Sequence, residues 1–123
     1  MLARANRVVL PADFRSAVRR GRRTTTPSAV YYRLATDPAR PLRFGFIVSK
    51  AVGNAVNRNL VRRRLKALGR AVVDTGRGGE DVVIRVLPAP AGPAAPQHSW
   101  GSLSADMHSV LDSSVTSPTG SVS

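Results

Sequence analysis

The chain has 123 residues, with nineteen Lys and Arg against seven Asp and Glu, a formal net charge of +12 and a pI near 11.9. That length fits one domain with a modest core, and so large a charge speaks to partners, with nucleic acid first and an anionic membrane surface second. The absence of cysteine excludes a disulfide, a thiolate zinc site and a cysteine nucleophile. No apolar run approaches the roughly 18 residues of a membrane span. The basic opening MLARANRVVLPADF has too short an apolar run for a secretory segment. The sequence therefore reads as a soluble, cytoplasmic protein.

Charge is unevenly placed. All nineteen cations and five of the seven acids lie in residues 1–87, a net of +14, whereas residues 88–123 hold only Asp106 and Asp112. The expected division is a basic α+β core over 1–87, a Pro/Ala/Gly/Ser linker over 88–101, a closing helix over 102–113 and a disordered tail over 114–123.

In chain order, Pro11-Ala12-Asp13-Phe14 opens a short helix, since proline is tolerated in a first turn and an early acid suits the dipole. Phe14, Ala17 and Val18 share one apolar face, and Gly21 suits the position after the helix end. A short strand is expected near Arg23. Ala29–Ala35 alternates as a strand, with Val30, Tyr32 and Leu34 on one side and Ala29, Tyr31 and Arg33 on the other. Leu42–Ser49 alternates more clearly, with Leu42, Phe44, Phe46 and Val48 opposite Arg43, Gly45, Ile47 and Ser49. The short connection predicts that these two strands pair antiparallel. A last strand is expected over Asp81–Leu87, with Glu80-Asp81 marking its exposed start. Leu103, Met107, Val110 and Leu111 have the i, i+4, i+7, i+8 spacing of a helix that covers the sheet.

The informative stretch is Ser49–Arg70, SKAVGNAVNRNLVRRRLKALGR. A short polar loop leads into a helix expected over Asn54–Val73, weakened near its end by Gly69. At about 100° per residue, Val61, Leu65, Leu68 and Val72 form a stripe roughly 60° wide, and Asn59, Arg63, Lys66 and Arg70 lie opposite, with Arg62 beside them. Basic helix faces are often merely solvated. Such faces usually interleave both signs, however, because i,i+4 ion pairs support the helix. Here no acid occurs between Lys50 and Val73, so the natural counter-ion is an external polyanion.

A self-contained catalytic site is not legible. His98 and His108 sit in the linker and tail, where histidine is usually solvated. Gly76-Arg77-Gly78-Gly79 lacks the Lys and Ser/Thr of a phosphate-binding loop.

The run Phe44-Gly45-Phe46-Ile47-Val48-Ser49-Lys50, then Ala51-Val52-Gly53-Asn54-Ala55-Val56, then Asn57-Arg58-Asn59-Leu60-Val61-Arg62-Arg63-Arg64-Leu65, resembles without a gap the signature of the bacterial ribonuclease P protein subunit. Asn6-Arg7 and Asp13-Phe14-Arg15 through Gly21 resemble that family's opening. The resemblance covers roughly residues 4–87. It implies an αβββαβα order, α+β, as a two-layer sandwich shared with a ribosomal-protein domain, in which the basic helix makes a left-handed βαβ crossover against the usual rule. It implies removal of the 5′ leader of precursor tRNA by a holoenzyme, an endonuclease whose RNA subunit carries out hydrolysis with bound magnesium. On the same resemblance the protein itself would hold no metal and have no active site of its own. It would bind the catalytic RNA, one to one, and the leader of the precursor.

Carried over position by position, Lys50, Asn54, Arg58, Asn59, Arg62, Arg63 and Lys66 are the expected contacts to the RNA subunit. Phe14, Arg15, Val18 and Tyr32 are the expected contacts to the leader, in a groove between the first helix and the sheet. Alternation by itself does not choose between Tyr31 and Tyr32. The register from Val48-Ser49-Lys50 selects Tyr32, with ordinary core as the alternative role for Phe14 and Tyr32. Three positions depart from the family pattern: Leu60 replaces an arginine, Ala51 a lysine and Val18 an aromatic. The competing functions are a ribosomal-type or general RNA-binding protein without a processing role, and a membrane-surface protein, which needs bulky apolar residues beside the cations.

Overall fold

The computed structural model describes residues 2–88 and 96–112. The expected tail over 114–123 and half of the expected linker, residues 89–95, lie outside the described residues. The elements are α1 (Pro11–Arg20), β1 (Arg22–Thr25), β2 (Ala29–Ala35), β3 (Arg43–Ile47), α2 (Ala55–Val73), β4 (Glu80–Val86) and α3 (Trp100–Leu111). Pro11 stands in the first turn of α1, with Asp13 in that turn and Arg19 and Arg20 in the last, so both ends complement the helix dipole.

The four strands form one mixed sheet in the order β1-β2-β4-β3. β1 and β2 are antiparallel, β2 and β4 are antiparallel, and β3 runs parallel to β4. This corrects the expected β2–β3 hairpin: β4 lies between them. The connection over residues 36–42 needs only about 10 Å to cross one intervening strand, which seven residues span easily. It is tied to the turn before β4, where the Thr36 amide donates to Gly79 O and the Gly79 amide to Arg40 O, each at 2.8 Å.

β4 therefore has neighbours on both sides, and its first two residues are not an exposed strand end. Glu80 and Asp81 are 3 % and 5 % exposed. Glu80 receives Arg33 of β2, Nε to Oε1 at 2.7 Å and Nη2 to Oε2 at 3.1 Å. Asp81 receives Arg43 of β3, Nε to Oδ1 at 2.9 Å and Nη2 to Oδ2 at 2.7 Å. Charges as buried as these persist only when paired, and the two forks do that from opposite sides of β4.

Alternation sorts the sheet into two faces. Ala29, Tyr31, Leu42, Phe44, Val82, Ile84 and Val86 form the larger core with Val61, Leu65 and Leu68 of α2 and Leu103, Met107, Val110 and Leu111 of α3. Val30, Tyr32 and Val83 face the other way, under Ala17 and Phe14 of α1. The sandwich thus has a partial third layer, with α1 across part of the second face.

Gly69, expected to weaken α2, lets the helix close on the sheet. It is buried, and a Cβ there would stand 3.1 Å from the Phe44 ring. α3 is held at both ends: Ser99 Oγ accepts from the Ser102 amide, and Arg33 Nη1 donates to Val110 O at 2.8 Å. Asp106 accepts from the Ser28 amide at 3.2 Å and from the Ser28 hydroxyl. His98 is buried rather than solvated, with Nε2 donating to Leu87 O at 2.8 Å.

Candidate RNA interface

The loop between β3 and α2 is shaped before any partner arrives. Val48 and Val52 are buried and pin a short 3-10 turn over Lys50–Val52. Gly53 follows with φ +155°, a conformation open to glycine and strained for other residues. Asn54 caps α2, its Oδ1 accepting from the Asn57 amide at 3.0 Å and from Asn57 Nδ2 at 2.9 Å. Arg58 Nη1 donates to Gly53 O at 2.9 Å. The Arg58 guanidinium therefore also fixes the loop that presents Lys50.

From this cap, α2 buries Val61, Leu65 and Leu68 and turns its cations outward. Asn59 and Arg63 are exposed, and Arg62 and Lys66 are partly exposed. Asn59, Arg62, Arg63, Lys66 and Ala67 line a cavity of about 460 Å³. Arg62 Nη1 donates to Asn59 Oδ1 at 3.0 Å, which aligns its fork along the helix. Among the described residues, ion pairs involve Arg33, Arg43, Arg70 and Arg77. Lys50, Arg58, Arg62, Arg63 and Lys66 are in none. Arg70, on the same side of the helix, is paired with Asp74 at 3.2 Å, so the uncompensated strip runs from Lys50 to Lys66. Arg64 lies on the flank and donates to His98 O at 2.8 Å. The seven residues expected to meet the RNA subunit thus stand on one loop and the first two-thirds of one helix. Leu60 is partly exposed beside them.

The four residues expected to meet the leader are on the opposite side of the sheet. Phe14, Val18 and Arg15 occupy an arc of about 100° on α1. Phe14 is seated on Gly45, where a Cβ would stand 2.5 Å from its ring. Val18 is 39 % exposed and Arg15 is exposed. Tyr32 is on this face and Tyr31 on the other, under α3. At 7 % exposure, Tyr32 is a floor residue with little free surface. Arg43 Nη1 also reaches Asp13 at 3.4 Å, tying the start of α1 to β3 and β4. Its guanidinium is held more firmly protonated than usual, chiefly by the hydrogen bonds to Asp81.

Two cations on this face were not among the expected contacts. Arg85 is exposed on β4, beside half-buried Ile47 and Leu87. Arg23 of β1 is opposite Tyr32 and so shares its face. Alternation placed Arg85 with Val83 and Leu87, but only the β2–β4 register, Tyr32 with Val83, brings it beside the tyrosine. Among the described residues, no group of three or more His, Asp or Glu is placed to hold a metal, and Glu80 and Asp81 are taken by arginines. No helix among the described residues is long and apolar enough to cross a membrane.

With this geometry in place, the comparisons with known proteins are specific. The family model described as Ribonuclease P matches residues 2–113. A ribonuclease P protein component from Clavibacter michiganensis is 51 % identical over 115 residues, covering 94 % of this chain and 97 % of that one. Another, from Pseudarthrobacter chlorophenolicus, is 44 % identical over 115 residues, covering 94 % and 81 %. In fold, the chain is similar to the RNase P protein of Staphylococcus aureus, with a TM-score of 0.72 at 22 % identity over 89 % of this chain and 94 % of that one. It is likewise similar to that of Thermotoga maritima, with a TM-score of 0.68 at 18 % identity over 85 % and 94 %. A cationic strip from Lys50 to Lys66 with no ion pair among the described residues, on a mixed sheet of this order and with these relatives, places the chain in the ribonuclease P protein family.

Proposed function

We propose that this chain is the protein component of ribonuclease P, acting in the cytoplasm in processing the 5′ leader of precursor tRNA as the subunit of a ribozyme holoenzyme. The observation that carries the reading is the uncompensated strip from Lys50 to Lys66 on a helix pinned by its apolar side. Such a surface holds a phosphate backbone by charge, with strong salt dependence and little sequence preference.

In this reading Lys50, Asn54, Arg58, Asn59, Arg62, Arg63 and Lys66 dock on the catalytic RNA, one protein to one RNA. Phe14, Arg15, Val18 and Tyr32, joined by Arg23 and Arg85, line the groove for the leader. A single strand there lays bases against apolar side chains and its backbone along arginines. Magnesium is held mainly by the RNA subunit and supplies its metal chemistry to hydrolysis there. The protein's own groups bind, orient and neutralise charge.

Reconstitution with the RNA subunit tests this. The protein lowers the magnesium concentration needed to cleave precursor tRNA and tightens binding of precursor over mature tRNA. Equal cleavage with and without protein at low magnesium, alongside intact RNA binding, would leave a general RNA-binding protein instead.

A further inference from the structure

The sheet separates two cationic surfaces, and the strip on α2 is only one of them. On the far side, α1 carries exposed Arg15, Arg19 and Arg20, and β1 adds exposed Arg23, opposite Tyr32. Among the described residues none of these four is in an ion pair. Asp13 is the one acid in residues 1–36, and it is engaged with Arg43 at the other end of α1. Ala12, Arg15, Ser16, Arg19 and Arg20 line a shallow depression of about 520 Å³ on the outside of the helix. The helix dipole accounts for Arg19 and Arg20, in the last turn. It does not account for Arg15 in mid-helix, or for Arg23 beyond its end. The α1 and α2 layers are roughly 20 Å apart, at about 10 Å on each side of the sheet. That exceeds the Debye length of about 8 Å at physiological ionic strength, so a backbone bound along α2 leaves the α1 charge uncompensated.

We propose that the outer surface of α1 is a second phosphate-backbone site, taken by the single-stranded 5′ extension of the precursor after it leaves the groove. This rests on the leader-binding reading above. Arg15 carries the continuity, since it borders the groove and also lines the depression. A strand crossing it meets Arg19 one helical turn on, about 6 Å away. The lining residues include no aromatic side chain, so the site grips phosphates without stacking bases and is indifferent to sequence.

The test uses the reconstituted holoenzyme and three precursors: one without a leader, one with a leader that ends within the groove, and one extended further by uridines. With the wild-type protein, the extended precursor binds tighter than the short one. Its salt slope is steeper by about 1.4 units for two contacts, at roughly 0.7 per phosphate on a single strand. In Arg19→Ala/Arg20→Ala that excess disappears, while affinity for the short-leader precursor and for the RNA subunit is unchanged. The matching double lysine variant retains most of the excess, which separates lost charge from lost fold. The proposal is overturned if extension adds nothing in the wild type, if the excess survives the alanine variant, or if that variant weakens all three precursors alike. Failure of the underlying reading looks different: the wild type would then not distinguish the short leader from none.

Discussion

At the scale of single residues, the buried arginine fork is the most demanding feature. Arg33 is 2 % exposed, pairs with Glu80 and closes the last turn of α3 through Val110 O. Removing Arg33 leaves the buried Glu80 with only its longer contact to Arg77, at 3.6 Å, a loss of up to about 3–5 kcal/mol. Arg33→Met is expected to fall in that range by urea unfolding. Adding Glu80→Leu should recover much of the loss, because the stranded carboxylate goes with it. Tyr31 is a second case. Its hydroxyl is buried and has no hydrogen-bond partner among the described residues. Burial, and after it the charge of Asp106, pushes the phenol far above its usual range. The fold therefore favours the neutral phenol, so this contribution is complete below the unfolded value of about 10 and is lost as pH rises from there toward the folded value. Tyr31→Phe is expected to change stability by less than about 1 kcal/mol at pH 7. It should also remove a loss of about 1.4 kcal/mol per pH unit on the alkaline side, read from denaturation midpoints across that range.

At the scale of elements, each strand's two faces were legible before the structure, because β2, β3 and β4 alternate cleanly. Their order was not. Nothing local in residues 36–42 distinguishes a hairpin from a connection that passes over another strand. The deciding interactions, Arg33 with Glu80 and Arg43 with Asp81, join residues 47 and 38 positions apart. The same blindness made Glu80-Asp81 look like a solvent-facing strand start and hid Arg85 beside Tyr32. α2 was legible almost whole, since its stripe and its lack of acids are both local. The cap offers a test at this scale. Asn54→Ala is expected to cost about 1 kcal/mol of stability. It should also weaken binding to the RNA subunit beyond what a lost side-chain contact explains, because Arg58 and Gly53 lose their anchor. Comparing hydrogen exchange of the loop with RNA affinity checks both effects.

At the scale of the whole molecule, charge decides. A net of +12 in 123 residues sets up a field that speeds encounter with any polyanion, and geometry then selects among them. Arg62→Ala with Arg63→Ala leaves the core contacts of α2 in place. It is expected to flatten the salt dependence of RNA-subunit affinity by about one unit per lost phosphate contact. An unchanged slope in titrations across ionic strength would remove both residues from the interface.

The place of β4 carries one more consequence. The strand that joins both halves of the sheet is synthesised after every element it joins except α3. Until it arrives, β2 and β3 have no shared ladder, Arg33 lacks Glu80 and Arg43 has Asp13 but not Asp81, and the apolar side of α2 has no completed wall to rest on. A nascent chain that has displayed every cation of the α2 strip still lacks the platform that aims them, and such late, long-range pairing is slow to form. Competence to hold RNA thus arrives as one event, on insertion of a seven-residue segment, rather than growing with chain length.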